Sequence, residues 1–192
     1  MRRDVKRNLR ALLDATGEVV RQDPHSFSMQ AVAARAGLAP STAWRHFSSI
    51  EDLIHAYAKQ QAEDLVTATS DLPDGADRFH ETVTAWVEIV LRSGPALVQF
   101  RSKRGYIERS RGDDDILEKA REAWTPALRT LLLEMGLGEA ELESALFLSN
   151  TVSDPREILD LHLHANMTTE EIIARLEATL RGAIAGWASV SS

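Results

Sequence analysis

Apolar residues recur at helical spacing over almost the whole chain, and the breaks in that rhythm fall at Gly, Pro and small polar residues. Val5, Leu9, Leu12, Leu13, Val19 and Val20 set the first helix, from about Arg3 to Arg21 and ending before Asp23-Pro24. Met29, Val32, Ala33 and Ala36 predict a short second helix capped by Ser28 and stopped at Gly37. Pro40 suits the first position of a third helix, because its missing N–H would be unpaired there, and Phe47 closes it. Ser49, with Asp52 three residues on, predicts the start of a long fourth helix running to about Asp71, where Pro73-Asp74-Gly75 breaks the pattern. No segment alternates with a period of two, so an all-α fold is expected.

The same period continues beyond. Phe79 to Leu91 reads as one helix broken at Ser93-Gly94-Pro95, with a shorter segment from Pro95 to about Lys103 and a polar connection through Arg109-Ser110-Arg111-Gly112. Asp113, Asp114 and Asp115 suit the N-terminus of a helix that carries Leu117, Trp124, Leu128 and Leu132 to Gly136 and is bent by Pro126. A helix from Glu139 to Ser153 follows, then one opened by Asp154-Pro155, and Thr168-Thr169-Glu170-Glu171 is a capping box for the last.

Charge narrows the function. The net charge of the 192-residue chain is -7, but residues 1–50 hold eight Lys/Arg against four acids, a local +4, and the remainder carries 14 basic and 25 acidic side chains, a local -11. Such asymmetry suits a segment that meets an anion while the rest repels it, although chance clustering gives the same count. The chain has no cysteine, which excludes disulfides, thiolate metal sites and cysteine nucleophiles. No apolar run approaches the roughly 18 residues of a membrane helix, and Met1-Arg2-Arg3-Asp4 leads into a polar helix rather than a signal peptide, so a soluble, cytoplasmic protein without a membrane partner is expected.

Residues 28–47 have the spacing of a helix-turn-helix, whose second helix enters the major groove. Pro40, Ser41 and Thr42 permit close approach to base edges, Arg45 can make a bidentate contact to guanine, and Trp44 and His46 can donate to phosphate. Ala43 and Phe47 sit four apart and face inward, and core packing is the competing role for Trp44. The full set expected at DNA is Ser28, Gln30, Ala39, Pro40, Ser41, Thr42, Trp44, Arg45, His46 and Ser49.

The run from Met29 to Leu53, with Val32-Ala33, Ala36-Gly37-Leu38, Ser41 to Phe47, Ser49, Glu51 and Leu53, resembles the N-terminal domain of TetR-type transcriptional regulators. The resemblance is close over about the first 55 residues and beyond them extends only to length and helix count. It implies an N-terminal three-helix DNA-binding domain (1–48) and a C-terminal helical domain for ligand binding and dimerisation (49–192), with the long helix 49–71 connecting them. It further implies a homodimer that represses from a palindromic operator on double-stranded DNA and is released by a small molecule. The chain departs from the family pattern at three points. Trp44 stands where Tyr is common, Ile50 where a phosphate-binding Lys is common, leaving the fourth helix Ser49 and its free amides, and Ala39 and Ser41 where Gly or Ser is common.

A chamber for a small apolar or aromatic ligand is expected among Trp86, Phe100, Tyr106, Trp124 and Phe147, with Arg101, Arg104 and Asn150 as polar anchors; ordinary core is the competing reading. Ile172, Ile173, Leu176, Leu180, Ala183, Ile184 and Trp187 make a stripe broader than docking on one domain needs. Its members Ile173, Leu176, Leu180, Ala183, Ile184 and Trp187 are expected at a dimer interface, and a monomeric core helix would show a similar pattern. Glu157, Asp160 and His164 share a helical face; a solvated face is the ordinary reading, and neither metal nor cofactor is expected. A helical enzyme and a DNA-binding protein without a ligand are the alternatives; the chain has no zincin motif, Gly-rich phosphate loop or nucleophile elbow. The expected coupling runs through the fourth helix, with the break at Pro73-Asp74-Gly75 freeing the helices beyond it from moving with it.

Overall fold

The computed structural model describes residues 2–23, 27–75, 77–99 and 102–190. Among them every regular element is helical: α1 (Arg2–Gln22), α2 (Met29–Arg35), α3 (Pro40–His46), α4 (Ile50–Thr69), α5 (Asp77–Gln99), α6 (Tyr106–Ser110), α7 (Asp115–Glu134), α8 (Leu142–Val152), α9 (Pro155–Leu163) and α10 (Thr169–Val190), with a single 3₁₀ turn at Glu139–Glu141. No helix among the described residues is long and apolar enough to cross a membrane. The chain divides into two compact units, residues 1–61 with 95–101 and residues 62–94 with 102–192, so α4 and α5 each contribute to both.

In the first unit Leu12, Val20, Val32, Ala33, Ala43 and Leu53 are fully buried, and Met29, Phe47, Tyr57 and Ala96 complete the core. Gly17 is fixed by packing, since a Cβ there would lie 2.7 Å from the Tyr57 hydroxyl oxygen on α4. The turn after α2 is a Schellman motif: Gly37 takes φ +68°, the Leu38 amide donates to the Ala33 carbonyl at 2.9 Å and the Gly37 amide to Ala34 at 3.1 Å. Gly136 ends α7 in the same way, with φ +70° and the Leu137 amide on the Leu132 carbonyl at 2.8 Å.

The second unit is centred on Phe79, Val83, Val87, Leu128, Leu131, Ile158, Ile172 and Leu180, all fully buried. Its caps follow the sequence. Asp114 accepts from the Leu117 amide at 2.9 Å, Asp154 accepts from the Arg156 amide at 2.9 Å ahead of Pro155, and the Thr168–Glu171 box closes at 2.9 and 3.2 Å. Arg129 with Glu139 and Arg181 with Glu134 add exposed ion pairs around it.

The helices depart from the sequence expectations at four points. α5 does not break at Ser93-Gly94-Pro95 but continues to Gln99. Gly94 is there because a Cβ would come within 3 Å of the Leu159 side chain, and Pro95 costs the helix one backbone bond in a stretch held by burial of Val90, Ser93 and Ala96. The connection expected near Arg109 holds the short helix α6, and the segment from Glu139 opens with a 3₁₀ turn before α8. The turn at Pro73-Asp74-Gly75 does not free α5 from α4. The Arg78 guanidinium, 10% exposed, donates to the Thr69 carbonyl at 3.2 Å, to the Leu72 carbonyl and to Asp74 at 2.8 Å, satisfying carbonyls at the end of α4 from the first turn of α5.

Candidate nucleic-acid interface

α3 owes its orientation to two residues on one face. Ala43 is fully buried and Phe47, at the C-cap, is 6% exposed, so the opposite face turns outward. On it Ala39, Pro40, Ser41, Trp44 and Arg45 are exposed, while Thr42 and His46 are partly buried. Trp44 is 49% exposed, which removes it from the core and leaves its indole N–H available to an external acceptor. Arg45 is not extended into solvent: its Nε donates to the Ser41 carbonyl at 3.2 Å and its Nη2 to the Thr42 hydroxyl oxygen at 3.1 Å.

The flanks frame this face. Ser28 caps α2 by accepting from the Ala31 amide at 3.2 Å, and Gln30 is exposed beside it. Arg35 of α2 pairs with Glu18 of α1, which spends one of the basic charges counted in this segment. Lys6, Arg7 and Arg10 on α1 are exposed. At the start of α4, Ser49 accepts from the Asp52 amide at 3.0 Å and Ser48 donates to the Asp52 carboxylate, a bond that holds this carboxyl below its usual range. The N-terminus expected to offer Ser49 and free amides therefore has one amide and the Ser49 oxygen already paired. It also carries the negative charge of Asp52, two residues beyond Ile50.

Residues 12–57 match the sequence profile of the bacterial regulatory proteins of the tetR family. Over these residues, about a quarter of its length, the chain is similar to the TetR-type transcriptional regulators. No curated protein matches it in sequence. In the solved structures the fold is shared with a tetR-family transcriptional regulator from Streptomyces coelicolor, at 16% identity and TM-score 0.68 over 96% of this chain and 83% of that one. It is also shared with a protein of Pseudomonas aeruginosa PAO1 described as a transcriptional regulator, at 21% identity and TM-score 0.63 over 93% and 90%. A third relative in fold is the multidrug binding protein EbrR, solved in complex with imidazole, at 16% identity and TM-score 0.52 over 89% and 93%. At these identities the likeness is one of fold.

In the second unit the residues singled out for a ligand fall into separate settings. Trp86 donates its indole N–H to the Ser153 carbonyl at 2.9 Å, Trp124 is 7% exposed in the core, and Arg104 is exposed with its guanidinium 3.9 Å from Asp114. Tyr106 and Phe147 do come together, edge to face with centroids 6.0 Å apart, and Phe147 also meets Trp187 at 5.6 Å. Asn150 lies partly buried on α8. Phe100 and Arg101 lie outside the described residues.

No local pattern in the sequence marks the ionic network beside Tyr106, since its members are far apart in the chain. Arg121 donates to the Tyr106 hydroxyl and, through both Nη atoms, to Glu143 at 2.5 and 3.0 Å. Burial pushes the Tyr106 phenol up, and Arg121 brings the Glu143 carboxyl down. A cavity of about 350 Å³ lies next to it, lined by Arg109, Asp113, Asp114, Leu117, Glu118 and Arg121 among others. That lining is polar and open and contains none of the aromatic candidates. Among the described residues no group of three or more His, Asp or Glu is placed to hold a metal, and Glu157, Asp160 and His164 are all exposed.

The stripe on α10 behaves differently from the expectation. Ile173, Leu176, Leu180 and Ile184 are between 0% and 6% exposed within a single chain, so they fill their own core and present almost no surface to a partner. The physical reason is that α8 and α9 of the same chain pack on α10, and the stripe width read from sequence measures burial, not the identity of what buries it. Ala183 is partly buried, Trp187 remains 46% exposed and Val190 86% exposed.

Proposed function

We propose that this protein is a transcriptional regulator that binds a palindromic DNA site as a homodimer, reads it with the outer face of α3, and leaves it when a small molecule occupies the second unit. The observation that carries the reading is the division of α3. Ala43 and Phe47 are spent on the core while Ser41, Trp44 and Arg45 stand outside it, on a helix preceded by the tight turn at Gly37. That is the arrangement a helix needs to lie in a major groove. The expected roles are bidentate guanine recognition by Arg45, close approach at Pro40, Ser41 and Thr42, and phosphate contacts from Trp44, His46 and the Ser28–Gln30 edge. Two-fold symmetry of the dimer imposes the palindrome.

The ligand reading is supported by the Tyr106–Phe147–Trp187 aromatic cluster and by the fold shared with the multidrug binding protein EbrR. Trp86, Tyr106, Trp124, Phe147 and Asn150 remain its candidates for a small apolar or aromatic molecule. Release by such a ligand is a coupling between two sites, so DNA weakens the ligand by the factor by which the ligand weakens DNA. In this reading the protein is cytoplasmic and no reaction is catalysed. The exposed Trp187 and Val190 of α10 are the apolar side chains offered to the second subunit. The test is selection of bound duplexes from genomic fragments, then footprinting. An enriched site with dyad symmetry supports the reading, and protein that enriches no sequence overturns it.

A further inference from the structure

Arg45 holds the Ser41 carbonyl with Nε and the Thr42 hydroxyl with Nη2, and these two bonds decide which donors remain for a base. A guanidinium is a planar fork with two usable edges, one formed by Nε–H and the near hydrogen of Nη2, the other by Nη1 and the far hydrogen of Nη2. The two intrahelical bonds use Nε and Nη2, the nitrogens of the first edge. Nη1, at the end of the side chain on the second edge, takes part in neither. Guanine presents N7 and O6 side by side in the major groove, and a two-pronged end-on donor matches them. An unrestrained arginine loses much rotamer freedom on being pinned to a base, and an arginine already fixed along its own helix has less to lose.

We propose that Thr42 is the positioning residue for Arg45, fixing its fork in an end-on orientation for guanine before DNA arrives; the proposal rests on α3 being the helix that enters the major groove. Ser41 contributes only a backbone oxygen, which any residue there supplies, so the side-chain specificity of the arrangement resides in the Thr42 hydroxyl. That hydroxyl accepts from Arg45 and retains its own hydrogen.

The experiment starts from a randomised duplex pool selected with the full-length protein, which defines the site and the guanine that Arg45 reads. Competition binding then compares the selected duplex with one carrying adenine, and one carrying 7-deazaguanine, at that position. The wild-type protein is expected to prefer guanine by about tenfold or more. Thr42→Val should lose about threefold or more of that preference, read as the ratio of its affinities for the guanine and adenine duplexes. Thr42→Ser, which keeps the hydroxyl, should retain it. In an Arg45→Ala background Thr42→Val should change nothing further, because its effect passes through the arginine. Full guanine preference in Thr42→Val overturns the proposal, as does a loss that adds to that of Arg45→Ala, which would mean that Thr42 touches the base itself. Failure of the underlying reading shows separately. If Arg45→Ala alone leaves base preference intact, α3 does not read guanine through this residue and the role of Thr42 falls with it.

Discussion

At position 44 a tryptophan stands half exposed on the outer face of α3, and at position 45 an arginine is folded along the same helix. Arg45 and its neighbour His46 should separate on mutation. Arg45→Ala should relax base preference and cost roughly 1–3 kcal/mol on the selected site, whereas His46→Ala should weaken all sequences alike; quantitative binding to selected and scrambled duplexes distinguishes them. The opposite sign is expected at Asp52, whose carboxylate is kept charged by Ser48 beside the amides of α4. Asp52→Asn removes that charge, so affinity should rise for specific and non-specific DNA alike, and unchanged affinity for both would place phosphate elsewhere. The outward residues of α3 were legible in sequence because a helix of only two turns, with Pro at its start and an aromatic at its end, has one face left for solvent. The pairing of Asp52 with Ser48 was not legible, since the Ser49–Asp52 cap reads the same with or without it.

The helices themselves were mostly written in their caps: Ser28, Asp114, Asp154 and the Thr168–Glu171 box all act where the residue types placed them. Punctuation misled where tertiary packing outweighed it. Gly94-Pro95 reads as a stop, yet Gly94 answers to Leu159, a residue 65 positions away that no local rule can weigh. Arg78 is another such case, invisible because its acceptors are backbone carbonyls. Arg78→Met should cost roughly 1.5–3 kcal/mol in denaturant unfolding by leaving those carbonyls unpaired, and a loss near zero would show that water replaces the guanidinium. At the start of α7, burial pushes the Asp114 carboxyl up, but Arg109 at 2.7 Å and the Leu117 amide outweigh it and hold it below its ordinary 3.8. The folded-state value is depressed, so the stabilisation is complete well above 3.8 and is lost as pH falls through that value and below. Asp114→Asn, which can still cap, should therefore be less stable than wild type near neutrality and approach it in acid, as denaturant titrations at the two pH values would show.

For the whole molecule, charge and symmetry decide. A basic first segment and an acidic remainder predict binding that weakens steeply with salt, because Lys and Arg displace counterions from phosphate while the net-negative remainder repels it. Burial also changes the choice of variants that test the dimer. Leu180→Glu and Ile184→Glu would put charges into the core of one chain and unfold it, so they report on stability rather than on association. Trp187→Glu and Val190→Glu act on exposed side chains, and sedimentation should find them folded but monomeric if α10 carries the interface. The measurement closest to the central claim is a footprint of the full-length protein on its selected site, made with wild type and with Arg45→Ala. Two protected half-sites related by a dyad and about one helical turn or somewhat more apart, roughly 34–36 Å at the minimum, with protection lost in both halves in the variant, is the predicted result. A single asymmetric footprint, or one that Arg45→Ala leaves unchanged, would contradict it.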